Sequence, residues 1–203
     1  RNMILERPES GVGDLAVIVF ERPRDVRGTA LLTHANVEPN DDDQWLYLPA
    51  IKRVKRISSS NRTGKFVSSE FSYEDLGGQE VEDYDYKWLR DEPCPNMADE
   101  TCYVVERFPK NAKSGYSKSI VWMDQSHYRL DQVEFYNRRG DFEKLMSFEG
   151  YEQYLDQYWR PSKITMDNRQ TGKSTDLIWS GYEFRNGLSN RDFDAQRLDK
   201  MAR

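Results

Sequence analysis

The stretch DDDQWLYLPAIKRVKRI, residues 41–57, decides the fold. An acidic triplet leads into a short apolar run in which Leu46 and Leu48 lie two positions apart, the spacing that puts both on one face of a β-strand. Pro49 has no amide proton for a strand ladder, so it marks an edge or a bend. KRVKRIS (52–58) then reads as a second strand. It sends Lys52, Val54 and Arg56 one way and Arg53, Lys55 and Ile57 the other, so the charges form no single stripe. Asp41, Asp42 and Asp43 lack the spacing, the glycine and the distal glutamate of an EF-hand loop and read as a solvated turn. The stretch is thus turn, strand, bend, strand, with basic side chains reaching solvent.

The same pattern extends outward. LAVIVF (15–20), TALLTHANV (29–37), QWLYLPAI (44–51), DYDYKWL (83–89), CYVVERF (102–108), KSIVWMD (118–124), RLDQVEFYN (129–137), WRPSKITMDN (159–168) and TDLIWSGYEF (175–184) are further strand-like runs, which makes ten and predicts a mainly β chain. DQSH (124–127), RRGD (138–141) and RQTGK (169–173) are hairpin signals, so neighbouring strands are expected to be antiparallel, in a meander. Three segments depart from the pattern. SSEFSYEDLGG (68–78) reads as a short helical turn or a folded-over loop ending at Gly77. YEQYLDQYW (151–159) spaces Tyr151, Leu155 and Trp159 four apart and admits a short helix. In the tail, Ser189 and Asp192 form an N-cap pair ahead of Phe193, Leu198 and Met201.

Composition sets the limits. With 203 residues the chain most simply makes one domain, 1–203. Leu, Ile, Val and Phe number only 42, so the five Trp and twelve Tyr must supply much of the interior. A net charge of −5 excludes a general field for nucleic acid or an anionic membrane. No run approaches the roughly 20 apolar residues of a membrane-spanning helix, and no signal segment opens the chain; a start at Arg1 is compatible with removal of an upstream targeting segment. Cys94 and Cys102 flank a loop between two strands. In an oxidising compartment they would close it as a disulfide, and in the cytosol they would stay thiols.

Catalytic and metal signatures are weak. TGKST (171–175) echoes the end of a phosphate-binding loop, but Asp167 stands where its first glycine belongs and the context is strand, turn, strand. His34 and His127 sit in no zinc-ligand spacing and read as structural or surface residues. No nucleophile elbow occurs, and the abundance of carboxylates is not evidence of glycoside hydrolysis. No enzyme, cofactor or metal is expected.

Read together, FERPRDVRGTALLTH (20–34), DDDQWLYLPAIKRVKRISSSNRTGKFVSSEFSYEDL (41–76), CYVVERFPK (102–110), GYSKSIVWMD (115–124), YWRPSKITMDNRQTGKST (158–175) and GLSNRDFDAQRLDK (187–200) resemble the bacterial outer-membrane lipoprotein-sorting proteins with a LolA/LolB-like fold. The resemblance implies a strongly curved antiparallel sheet forming a half-open barrel, with a few helices covering its concave face. It implies a periplasmic carrier in a Gram-negative bacterium, exported by a signal peptide, that holds lipoprotein acyl chains or another lipid in an apolar cavity for transfer towards the outer membrane. Members are expected to begin with a helix and a strand ahead of the equivalent of RNMILE.

Candidate walls are Leu46, Leu48, Ile120, Trp122, Val133, Phe135, Ile164, Met166, Leu177 and Trp179. Phe66, Phe71, Tyr73 and Leu76 are a candidate lid. Arg53, Lys55 and Arg56 are rim candidates for an anionic head group or a membrane-protein partner, such as an RND-type inner-membrane exporter or an outer-membrane acceptor. Two rival readings are a non-carrying interaction subunit of such a transporter, its cavity filled by its own side chains, and a carbohydrate-active enzyme with two facing carboxylates.

Overall fold

The computed structural model describes residues 2–6, 13–36 and 41–202. The protein is mainly β, with two unclosed antiparallel sheets and few helices, as expected; the described residues form twelve strands, two more than the ten runs, the additions being Asn2–Leu5 and Phe142–Tyr154. It divides into two compact units: residues 1–67, 72–83 and 183–203 form the first, and 68–71 with 84–182 the second.

The first unit contains a five-stranded meander: β1 (Asn2–Leu5), β2 (Leu15–Val19), β3 (Ala30–His34), β4 (Asp43–Leu48) and β5 (Arg53–Ile57). Alternation decides what each face buries. Met3, Val17, Leu32 and Trp45 lie side by side on one face, and Ile18, Leu31, Leu46 and Lys55 on the other. The first face is covered by the C-terminal segment, where Phe193 and Leu198 are buried against Leu15, Val17, Val19, Ala30, Leu32 and Tyr47. That segment starts with the expected N-cap pair: the Ser189 backbone and hydroxyl both donate to the Asp192 carboxylate. It runs through 3-10 turns into a single helical turn, α1 (Leu198–Met201).

The second unit is a seven-stranded meander: β6 (Tyr84–Pro93), β7 (Thr101–Pro109), β8 (Tyr116–Asp124), β9 (Leu130–Asn137), β10 (Phe142–Tyr154), β11 (Tyr158–Asn168) and β12 (Lys173–Ile178). Cys94 and Cys102, on either side of the β6–β7 connection, are joined as a disulfide.

Several expectations are corrected. Residues 151–159 form no helix: Tyr151 to Tyr154 end β10, which turns back directly into β11. β10 is the longest strand, yet Lys144 and Gly150 break its apolar run in sequence. Only its pairing shows that Lys144, Met146 and Phe148 point the same way and are all buried. Gly150 has a φ of +65°, and a Cβ there would lie 2.1 Å from Ser162 Oγ, so glycine is required where β11 crosses. β1 was not expected as a strand. The run 175–184 keeps strand geometry only to Ile178, and Val37, the end of the run 29–37, lies outside the described residues.

Candidate ligand-binding surfaces

In the first unit, the face opposite the C-terminal segment presents Leu31, Leu46, Leu48 and Ile57, with Phe20 at the end of β2. Its cover is the irregular segment 64–78, which brings Phe66, Val67, Tyr73 and Leu76 onto these side chains. Phe66 is 3% exposed, stacks on Phe20 at 5.0 Å and meets the Tyr73 ring edge-on at 5.7 Å.

Polar anchors hold this strap. The backbone closes on itself through Tyr73 N to Gly64 O at 3.1 Å and Glu74 N to Arg62 O at 2.8 Å. Gln44, on the inward face of β4, donates its Nε2 to Tyr73 O at 3.0 Å and to Thr33 Oγ1 at 3.2 Å. Asp42 accepts from Gly78 N at 2.8 Å and from Asn36 N at 3.0 Å. Burial pushes the Asp42 carboxyl above the usual carboxylate range, against the lowering effect of those two amides and of Arg62. The Arg62 guanidinium reaches Asp41 at 3.5 Å and Glu74 at 4.0 Å. The acidic triplet is therefore the strap's mooring: Asp41 and Asp42 bind the strap, and Asp43 pairs across the sheet with Arg56.

Five candidates thus come together in one cluster: Leu46, Leu48, Phe66, Tyr73 and Leu76. Phe71 belongs to the second unit and is 2% exposed. The rim candidates lie exposed on the edge strand β5 but on different faces. Arg53 and Lys55 pair with Leu48 and Leu46, whereas Arg56 pairs with Trp45.

In the second unit, Val121, Val133, Met146 and Met166 form one cross-strand row; Phe135 and the pair Phe148 and Ile164, with Leu177, flank it on the same face. Residues 68–71 dock at the β11–β12 end of that face: Glu70 N donates to Thr175 Oγ1 at 3.0 Å, and Asn168 Nδ2 donates to the Glu70 carboxylate at 2.9 Å. Ile120 and Trp122 are not part of this wall. They point to the opposite face, where they pack with Cys94, Cys102, Val104, Leu89 and Met97, and Trp122 Nε1 donates to Glu92. Trp179 lies past the end of β12, its backbone N–H bonded to Ser162 O.

Sequence reasoning gave no sign of the polar knot at the β8–β9 turn. Asp124 is fully buried and accepts from His127 N, Arg129 N, Arg129 Nε and Ser126 Oγ. Burial alone would raise its carboxyl, but these donors hold it down at about 2. Arg129 also pairs with Glu100 at 3.0 Å and lies over the Trp159 ring at 4.6 Å. Both histidines have structural contacts: His34 Nε2 bonds to Phe193 O, and His127 stacks on Trp159. TGKST ends the β11–β12 hairpin turn with Thr171 and Gly172 and begins β12 with Lys173 to Thr175. Among the described residues no group of three or more His, Cys, Asp or Glu is placed to hold a metal ion, and no helix is long and apolar enough to cross a membrane.

A LolA superfamily protein from Nitrosomonas europaea superposes with a TM-score of 0.68 at 23% identity, over 94% of this chain and 79% of that one. Nearer relatives define the family. A domain from Vibrio parahaemolyticus described as an outer membrane lipoprotein-sorting protein is 47% identical with a TM-score of 0.90, over 98% of this chain and 82% of that one. A DUF1329 family protein from Desulfovibrio piger is 30% identical with a TM-score of 0.87, over 97% and 82%. A family model described as an uncharacterized protein matches residues 13–200. No curated protein matches the chain. The chain belongs to the DUF1329 family, and it is similar to a domain described as an outer membrane lipoprotein-sorting protein.

Proposed function

We propose that this protein is a periplasmic, non-enzymatic carrier that holds lipoprotein acyl chains or another lipid against an apolar surface and passes it towards the outer membrane. The observation that carries the reading is the strap: an apolar sheet face covered by an irregular segment and held by a few polar bonds. Such an irregular cover opens at lower free energy than a packed helix or strand. Binding of an acyl chain then rests on buried area, about 25 cal/mol per Å², and needs no cofactor or catalytic group. The similarity to a domain described as sorting outer membrane lipoproteins supports the cargo class. The Cys94–Cys102 bond supports an oxidising compartment such as the periplasm. Arg53, Lys55 and Arg56 supply a charged surface for an RND-type exporter or an outer-membrane acceptor.

Native mass spectrometry of gently purified protein, followed by solvent extraction, tests the reading. A stoichiometric acylated species, displaced by a lipophilic fluorophore, is expected. A clean unliganded mass together with no fluorophore uptake overturns it and favours a docking subunit that carries nothing.

A further inference from the structure

The β2–β3 connection, FERPRDVRGT (20–29), is closed by its own backbone. Phe20 N donates to Thr29 O at 2.9 Å, Gly28 N to Phe20 O at 2.8 Å and Thr29 N to Val26 O at 2.9 Å. Gly28 has a φ of +79°, and a Cβ there would lie 3.4 Å from Pro49 Cγ and 3.6 Å from Ala202 O. The loop is thus seated against the β4–β5 turn and the C-terminal segment, all within the first unit.

Beside it opens a concavity of about 800 Å³, lined by Val19, Phe20, Glu21, Arg22, Arg24, Arg27, Gly28 and Ala202. Val19 is 4% exposed and, with Phe20 and Ala202, gives the concavity an apolar floor. Arg22, Arg24 and Arg27 are exposed, and among the described residues none of them has an ion pair or hydrogen bond, although Glu21 and Asp25 share the loop. Arg56, Arg90, Arg129 and Arg139, by contrast, each have a carboxylate partner. Three unpaired guanidinium groups over an apolar floor are suited to a ligand with an anionic, multi-oxygen head and a short apolar stem. A guanidinium offers a planar fork of donors that matches phosphate bidentately, and it is weakly hydrated enough to sit beside apolar surface.

We propose that this concavity binds the head-group end of a phosphate-bearing amphiphile, with the phosphate held by Arg22, Arg24 and Arg27 and the first methylenes lying on Val19, Phe20 and Ala202. The inference goes beyond the carrier reading: the two surfaces share Phe20, which also stacks on Phe66, but the three arginines lie outside the strap's cluster. Charge-assisted bonds are stronger than neutral ones, so losing all three arginines lowers affinity at least roughly tenfold.

Isothermal titration of the whole chain, using dihexanoyl phosphatidylglycerol below its micellar concentration, inorganic phosphate and dihexanoyl phosphatidylcholine, tests this. The anionic lipid is expected to bind at least about tenfold more tightly than either control. The triple variant Arg22→Gln, Arg24→Gln, Arg27→Gln is expected to lose that binding while melting at an unchanged temperature. Equal binding of inorganic phosphate, which makes this a plain anion site, overturns the amphiphile; equal binding of the zwitterionic lipid, or undiminished binding by the variant, overturns the role of the arginines. Fluorophore uptake under the strap is measured separately, so failure here leaves the carrier reading standing, and the reverse holds too.

Discussion

Replacing Phe66 by alanine separates a strap from a core. Phe66 is 3% exposed, lies between Phe20 and Tyr73, and packs with Leu31 and Leu46. A buried Phe→Ala change costs about 3–5 kcal/mol, the lower end applying where the surroundings collapse into the hole. An irregular segment collapses more readily than a strand, so about 3 kcal/mol is expected. That cost falls on the closed strap. It surfaces first as local opening: the amides of Tyr73, Glu74 and Gly78, which donate to Gly64 O, Arg62 O and Asp42, should exchange with solvent roughly a hundredfold faster. The amides that pair β2 with β3, and β3 with β4, should hold their protection, and a lipophilic fluorophore should gain access to Leu46 and Leu48. Hydrogen exchange read by mass spectrometry at peptide level measures the contrast. Unchanged exchange over 64–78, or an equal loss of protection across β2, β3 and β4, would refute the reasoning, because either result makes the strap part of one cooperative core.

Other perturbations have defined outcomes. The folded-state pKa of Asp124 is depressed to about 2, so its contribution to stability, roughly 2 kcal/mol, is present above the ordinary carboxylate pKa and is lost as pH falls through about 4 towards 2; Asp124→Asn should flatten acid unfolding in that window. Replacing Cys94 and Cys102 by serine should lower stability by about 2–3 kcal/mol in denaturant melts, as expected for opening a loop with a separation of 8 residues. Exchanging Arg53, Lys55 and Arg56 for serine should slow transfer to a membrane partner while changing stability by under about 1 kcal/mol, since all three are exposed and only Arg56 has a carboxylate partner among the ion pairs; a much lower melting temperature would show that they serve the fold. Leu198→Ala, at a fully buried side chain, should cost about 2–5 kcal/mol and weaken the whole first unit in urea melts.

QWLYLP and LAVIVF were legible as short apolar runs between turn residues, as suits a sheet covered on both faces, and the hairpin residues at 138–141 and 169–173 mark turns by their own backbone chemistry. β10 was not legible, since its inward row includes Lys144, whose ammonium stays buried by donating to the Tyr116 hydroxyl at 3.0 Å. Nothing local reveals that bond. The candidate wall was legible only by residue type: Trp122 and Val133 look alike as apolar strand residues, yet Val121 is the one that pairs with Val133, so Trp122 faces the other way, into the disulfide core. Asp41 and Asp42 read as solvated for the same reason, because their partners, Arg62 and Gly78, lie twenty to forty positions away.

The two covers of the five-stranded sheet show why a binding surface of this kind leaves little trace in sequence. Both bury aliphatic and aromatic side chains on alternating strand positions, so composition and periodicity cannot tell them apart. They differ in how they are held. The C-terminal segment drives Phe193 and Leu198 to nearly complete burial and follows a capped start, so lifting it would expose two whole side chains at about 25 cal/mol per Å² with nothing to offset the loss. The strap buries Phe66 deeply but leaves Tyr73 and Leu76 only partly buried, and much of its attachment is through Asp42, Gln44 and Arg62, whose bonds water can replace. A net intramolecular hydrogen bond is worth only about 1 kcal/mol in water. The strap is therefore the cover that a ligand with its own apolar area can displace, since that area replaces the contacts Phe66 gives up while solvent takes over the polar anchors. The acidic triplet at 41–43 sets that balance, which makes the opening of the stretch 41–57, and not its apolar strand, the part that governs access.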